Sequence, residues 1–208
     1  MRSRHLPGLP VLALESGTAI GRVRRPIVDP GEKCVAALLV SEPRSVRKRL
    51  LPVDAVRAFG RHAVTVESER ALILPRDDSR LFTLLVKKRI SLLGTAVVTA
   101  GGELVGTVRD FEIGERGKIS CLYINGGMWR SLAGREQEIP GSAIIAIGKD
   151  AAIVTDETLE VLSQEKGGST GQAEQQAPPA RPWFRWSKEN QDRSGEPSSF
   201  GSIEEEGR

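Results

Sequence analysis

The chain has 208 residues, 39% of them hydrophobic and 27% charged, which leaves room for one large domain or two small ones. Its net charge of +3 is spread unevenly: residues 1–89 carry 18 Lys and Arg against 9 Asp and Glu, residues 90–162 carry 6 against 10, and residues 163–208 carry 6 against 8. No apolar run approaches the about 18 residues of a membrane-spanning helix, and the basic opening Met1-Arg2-Ser3-Arg4-His5 leads only into Leu9 to Leu14, too short for a secretory segment, so the protein is expected to be cytoplasmic.

Val11 to Leu14 reads as a short strand turned by Glu15-Ser16-Gly17. Ala19 to Val28 reads as a longer one, with Ile20, Val23 and Ile27 set against Arg22, Arg24 and Arg25. Asp29-Pro30-Gly31-Glu32 is a turn, because Pro presets φ and Gly accepts a positive one. Val35 to Val40 is almost continuously apolar, as a strand covered on both sides must be. Arg49 to Pro52 is a brief strand, Val53 to Phe59 a helical turn, and Ala63 to Glu67 the alternating strand that closes the unit. From Ser79 to Arg89, Leu81, Leu84 and Leu85 stand at helical spacing, with Asp77-Asp78 leading and Lys87-Lys88-Arg89 trailing, in accord with the helix dipole. This predicts a linker helix over 71–89, set between two β units.

The second half repeats the first. Ile20-Gly21-Arg22-Val23 returns as Val105-Gly106-Thr107-Val108, 85 residues on. Leu51-Pro52 returns as Ile139-Pro140, and Phe59-Gly60 followed by Ala63 to Val66 returns as Ile147-Gly148 followed by Ala151 to Val154, both 88 residues on. The three extra residues fall near Gly126-Gly127. Leu104 to Ile113 is then the long strand, Gly114 to Gly117 its hairpin and Ile119 to Ile124 the buried strand. Many short strands joined by tight turns predict a mainly β fold, two small closed barrels in tandem at 1–70 and 90–162. Residues 163–208 are rich in Gly, Ser, Gln and Pro, a composition that predicts a disordered tail.

The ordered set, found twice, consists of a Leu-Pro-Val opening, a Gly turn, an Ile-Gly-x-Val strand, a hairpin with an Asp-Pro-Gly-type turn, an apolar strand, a Leu-Pro step, a Phe-Gly or Ile-Gly turn and an Ala-Val-Thr-Val strand. It resembles the PRC-barrel family over residues 6–68 and 90–156. The resemblance implies small barrels that serve as docking or assembly modules, with no shared catalytic residues. Relatives form the cytoplasmic part of a photosynthetic reaction-centre subunit and half of a ribosome maturation factor. This sequence has neither the membrane helix of the first nor the N-terminal domain of the second.

No constellation for catalysis stands out. His5 and His62 are isolated, with His5 in a terminus expected to fray. Cys34 and Cys121 lie in apolar runs with no metal-ligand spacing and read as buried free thiols. Asp29 and Asp110 read as turn or rim carboxylates. The expectation is therefore a non-enzymatic binding or adaptor protein without cofactor or metal. Arg44, Arg47, Lys48 and Arg49, in the loop after the buried strand, together with Arg22, Arg24 and Arg25, would form one basic face for an anionic partner. Trp129 in the second copy's loop, and Trp183, Phe184 and Trp186 in the tail, are candidate anchors. A protein partner is the first expectation, with RNA or the ribosome, or an anionic membrane surface, as alternatives.

Overall fold

The computed structural model describes residues 1–42, 48–125 and 137–158. The first copy contains β1 (Pro10–Ala13), β2 (Ala19–Asp29), β3 (Cys34–Ser41), β4 (Lys48–Pro52), β5 (Val56–Phe59) and β6 (Val64–Val66). The second contains β7 (Ala96–Thr99), β8 (Leu104–Ile113), β9 (Ile119–Asn125), β10 (Gln137–Pro140), β11 (Ile144–Ile147) and β12 (Ala151–Val154). Each makes one six-stranded sheet with the same neighbour order, β4-β3-β2-β1-β6-β5 and β10-β9-β8-β7-β12-β11. All pairs are antiparallel except β1 with β6 and β7 with β12.

The duplication extends to the irregularities. Bulges fall at Val11/Leu12 and Val97/Val98, at Val23/Arg25 and Val108/Asp110, at Ile27/Val28 and Glu112/Ile113, and at Val56/Ala58 and Ile144/Ala146. Bulges bend and twist a sheet, so repeating them at equivalent places curls both copies the same way.

Among the described residues, neither ladder closes fully. β4 and β5 are the ends of the first hydrogen-bonding order, joined by a 3-10 corner at Val53–Ala55. The segment read as one helical turn over Val53 to Phe59 is thus a corner followed by a strand; β5 is drawn into the sheet because it pairs with β6. The free edge of β4 is covered by Ile73, which exchanges both backbone hydrogen bonds with Leu50 at 2.9 Å. Covering an edge in this way removes a site of strand addition.

β3 is covered on both sides, as its apolar run predicts. Leu38 and Val40 belong to the barrel core, while Ala37 and Leu39 face outward with Ile27 and Leu50. That outer patch is covered by α1 (Ser79–Thr83) and the π-helical turns that continue it to Lys88, through Leu81 and Leu84. The linker helix packs its leucines on the outer face of the first copy, on Ile27, Leu39 and Leu50 of β2, β3 and β4. Asp78 starts the helix by accepting from the Leu81 N–H at 2.8 Å. Arg89, at φ 43°, ends it.

The two copies share one continuous apolar core. Their hairpin tips interlock. The Ile119 N–H donates to the Lys33 carbonyl, and Lys33 Nζ donates to the Ile144 carbonyl at 2.8 Å. In return Gly117, at φ 77°, sits against Val35 and Val53; a Cβ there would strike the Val35 carbonyl oxygen. The N-terminal segment is anchored rather than frayed. Ser3–His5 form a 3-10 turn against β8, and the Ile113 N–H donates to the Met1 carbonyl at 2.8 Å.

Candidate docking surface

Strand register decides where the first copy's cations point, since directly opposed residues share a face. Arg22 opposes Ser41, which opposes Lys48. The next row is Arg25, Leu39 and Leu50, and Leu39 and Leu50 belong to the outer cluster. Arg22, Arg25 and Lys48 therefore lie on the outer face, with Arg24 exposed at the bulge between. Arg22 is fixed by donating to the Gly8 carbonyl at 3.0 Å.

Arg49 departs from this group. It opposes Val40, which opposes Val23, and both valines are in the barrel core. It opens instead on a groove at the barrel end with Glu42, Glu69 and Leu72, and its Nε meets Glu42 at 2.7 Å. The single basic face expected from the sequence is thus divided, because one step along β4 reverses the side. Arg44, Arg47, Trp129, Trp183, Phe184 and Trp186 lie outside the described residues.

The linker helix extends the outer cationic surface. Its second half packs against β2, the strand carrying Arg22, Arg24 and Arg25. With Leu81 and Leu84 turned inward, Phe82 and Val86 are left 40% and 47% exposed, and Lys87, Lys88 and Arg89 are exposed beside them. Among the described residues, Arg24, Arg25, Lys48, Lys87, Lys88 and Arg89 take part in no ion pair. Such a surface attracts anions.

Titratable groups also gather at the junction of the two copies. A cleft of about 460 Å³ at the copy junction is lined by Glu32, Cys34, Asp54, Asp78, Arg80, Arg116 and Lys118, so carboxylates and cations offset one another. Arg80 is taken by Asp29, with Nε at 3.0 Å and Nη2 at 2.7 Å from Oδ2. Burial pushes the Asp29 carboxyl up, but the hydrogen bonds from Arg80 and Gly31 and the Arg80 charge outweigh it, and the net direction is down. Burial, reinforced by the Asp29 charge, raises the Cys34 thiol above its ordinary value, and burial does the same to Cys121. Both thiols are free but half-buried rather than buried: Cys34 opens β3, and Cys121 alternates with the core residues Leu122 and Ile124 along β9.

Asp29 and Asp110 are the residues that sequence reasoning underrated. Asp110 is fully buried, and its Oδ1 accepts from Ser3 Oγ at 2.6 Å, the Arg4 N–H at 3.1 Å and its neighbour Phe111 N–H at 2.9 Å. Arg4 Nε lies 3.3 Å from Oδ2. Arg2 stacks 3.8 Å above the Tyr123 ring on the same face. A signal existed for Asp110: an acid seven residues into an otherwise β-forming strand has to find donors. His62, exposed in its turn, joins none of these clusters.

Compared with protein families, the model of the PRC-barrel domain matches residues 1–73 and again residues 89–160. No curated protein matches the chain.

Proposed function

The chain belongs to the PRC-barrel family in two tandem copies, and from that premise we propose that it is a non-enzymatic adaptor. Its first copy would face an anionic partner, and its second would recruit another macromolecule. The observation that carries this reading is the division of charge over a rigid frame. Cations without ion-pair partners among the described residues project from β2, β4 and the linker helix of the first copy, while residues 90–162 are net acidic. A continuous core and interlocked hairpins join the two. A rigid joint between surfaces of opposite sign suits a protein that holds two partners at a fixed spacing.

The residue chemistry supports recognition over catalysis. The buried carboxylates Asp29 and Asp110 are spent on anchoring the linker and the N-terminal segment, and the raised thiols are poor nucleophiles at neutral pH. The test is cross-linking of the full-length protein in extract of its own cells, beside the variant Arg24→Gln/Arg25→Gln/Lys48→Gln. Partners captured by the wild type and lost by the variant, with far-UV spectra unchanged, are expected. An identical set of captured partners would refute the reading.

A further inference from the structure

The linker helix has two apolar sides, only one of which is buried. Leu81 and Leu84 are 4% and 3% exposed against Ile27, Leu39 and Leu50. Phe82 and Val86, one turn apart and therefore on one face, are open to solvent. A helix on a barrel needs one apolar stripe, and the second has no use in this fold. The charge pattern around it is equally biased. From Ser79 to Gly102 there is no acidic residue, while Arg80, Lys87, Lys88 and Arg89 are cationic. Arg22, Arg25 and Lys48 lie on the same outer face of the sheet as this helix, whose second half lies against β2.

Resting on the adaptor reading, we infer that the anionic partner of the first copy is a phospholipid bilayer surface, met by the linker helix with Phe82 and Val86 entering the headgroup boundary and Lys87, Lys88 and Arg89 facing the lipid charges. An apolar stripe flanked by lysine and arginine is the pattern of a helix that lies in a membrane interface. The charge alone would also fit RNA. The exposed apolar pair decides between them: an aliphatic Val86 has no counterpart in a phosphate backbone, and Phe82 is a single ring where single-stranded nucleic acid calls for several. Binding through so few groups is reversible and salt-sensitive.

The experiment is co-sedimentation of the full-length protein with phosphatidylcholine vesicles, with and without phosphatidylglycerol, beside titration with a single-stranded RNA oligomer. Binding to the anionic vesicles alone is expected, weakening as salt rises. Lys87→Gln/Lys88→Gln should weaken it about 25-fold, about fivefold per cation, and Phe82→Ser roughly tenfold. All three positions are exposed, so the variants should keep the wild-type melting curve. No vesicle binding, equal binding to neutral vesicles, binding to RNA but not to vesicles, or vesicle binding that only Trp183→Ala/Trp186→Ala removes would each overturn the inference. A captured protein partner without vesicle binding would leave the adaptor reading standing and remove this one alone.

Discussion

Replacing Asp110 tests whether the N-terminal segment is held by hydrogen bonding or by charge. In Asp110→Ala, the Ser3 hydroxyl and the Phe111 N–H lose their acceptor in places water does not reach, since Ser3 and Phe111 are each 1% exposed. Each stranded buried donor costs about 1–3 kcal/mol, so the variant should lose about 3–4 kcal/mol. Asp110→Asn keeps an acceptor at the Oδ1 position but exchanges the buried Oδ2 for an NH2 whose donors face the Arg4 guanidinium. The wild-type Oδ2 receives no hydrogen bond, and the Arg4 side chain beside it is 44% exposed. Losing the pairing with the exposed Arg4 costs about 0–1 kcal/mol and burying the amide donors beside it about 1–3 kcal/mol, so the amide should lose about 1–3 kcal/mol, less than Asp110→Ala. Urea unfolding followed by far-UV circular dichroism gives both values. Amide exchange at Ile113, whose N–H donates to Met1, reports release of the segment. Equal losses in the two variants, or less than about 1 kcal/mol in Asp110→Ala, would refute the hydrogen-bond account.

Gly117→Ala should cost about 2–3 kcal/mol by urea unfolding, because a left-handed Ala is strained and its Cβ meets the Val35 carbonyl of the other copy. Leu84→Ala should cost about 2–4 kcal/mol in the same assay and speed exchange of the Arg89 N–H, which donates to Leu84. The Asp29 carboxyl titrates below its unfolded value of 3.8 in the folded chain, so its stabilisation is complete above that pH and is lost as pH falls through the lower folded value. Arg80→Ala should therefore cost about 1.5–2 kcal/mol at neutral pH, and its deficit relative to wild type should shrink in unfolding curves taken below pH 3.8.

The duplication was legible because strand periodicity and turn chemistry are local. Val23, Val40 and Ile139 announce a buried face, and Asp29-Pro30-Gly31 announces a turn, wherever the rest of the chain goes. β5 was not legible. Val56 to Phe59 is too short to show a period, and its pairing with β6 is a tertiary fact. The side on which Arg49 emerges depends on the β3–β4 register, which the sequence does not state. The surface that receives the linker is not legible for a similar reason. Leu81 and Leu84 reveal an apolar stripe, but not that Ile27, Leu39 and Leu50 form the patch that receives it. Asp110 was underrated because an acid in a strand looks like a surface residue until a distant segment covers it.

That cover explains why the two copies differ where they are most alike. Each copy's leading segment lies over the other copy's long strand: Ser3–His5 over β8, and the end of the linker helix over β2. The strand positions beneath are equivalent at the 85-residue shift, Arg25 with Asp110 and Ile27 with Glu112. Under the linker, the surface is apolar and the cover uses leucines; under the N-terminal segment, it is acidic and the cover uses Ser3, Arg2 and Arg4. Exchange of covers makes each copy depend on the other for a finished surface, so divergence after duplication had to change strand and cover together. The same exchange leaves the linker helix with its back to the first barrel and its second apolar stripe outward. That stripe, with the cations around it, is the surface we propose for the lipid partner.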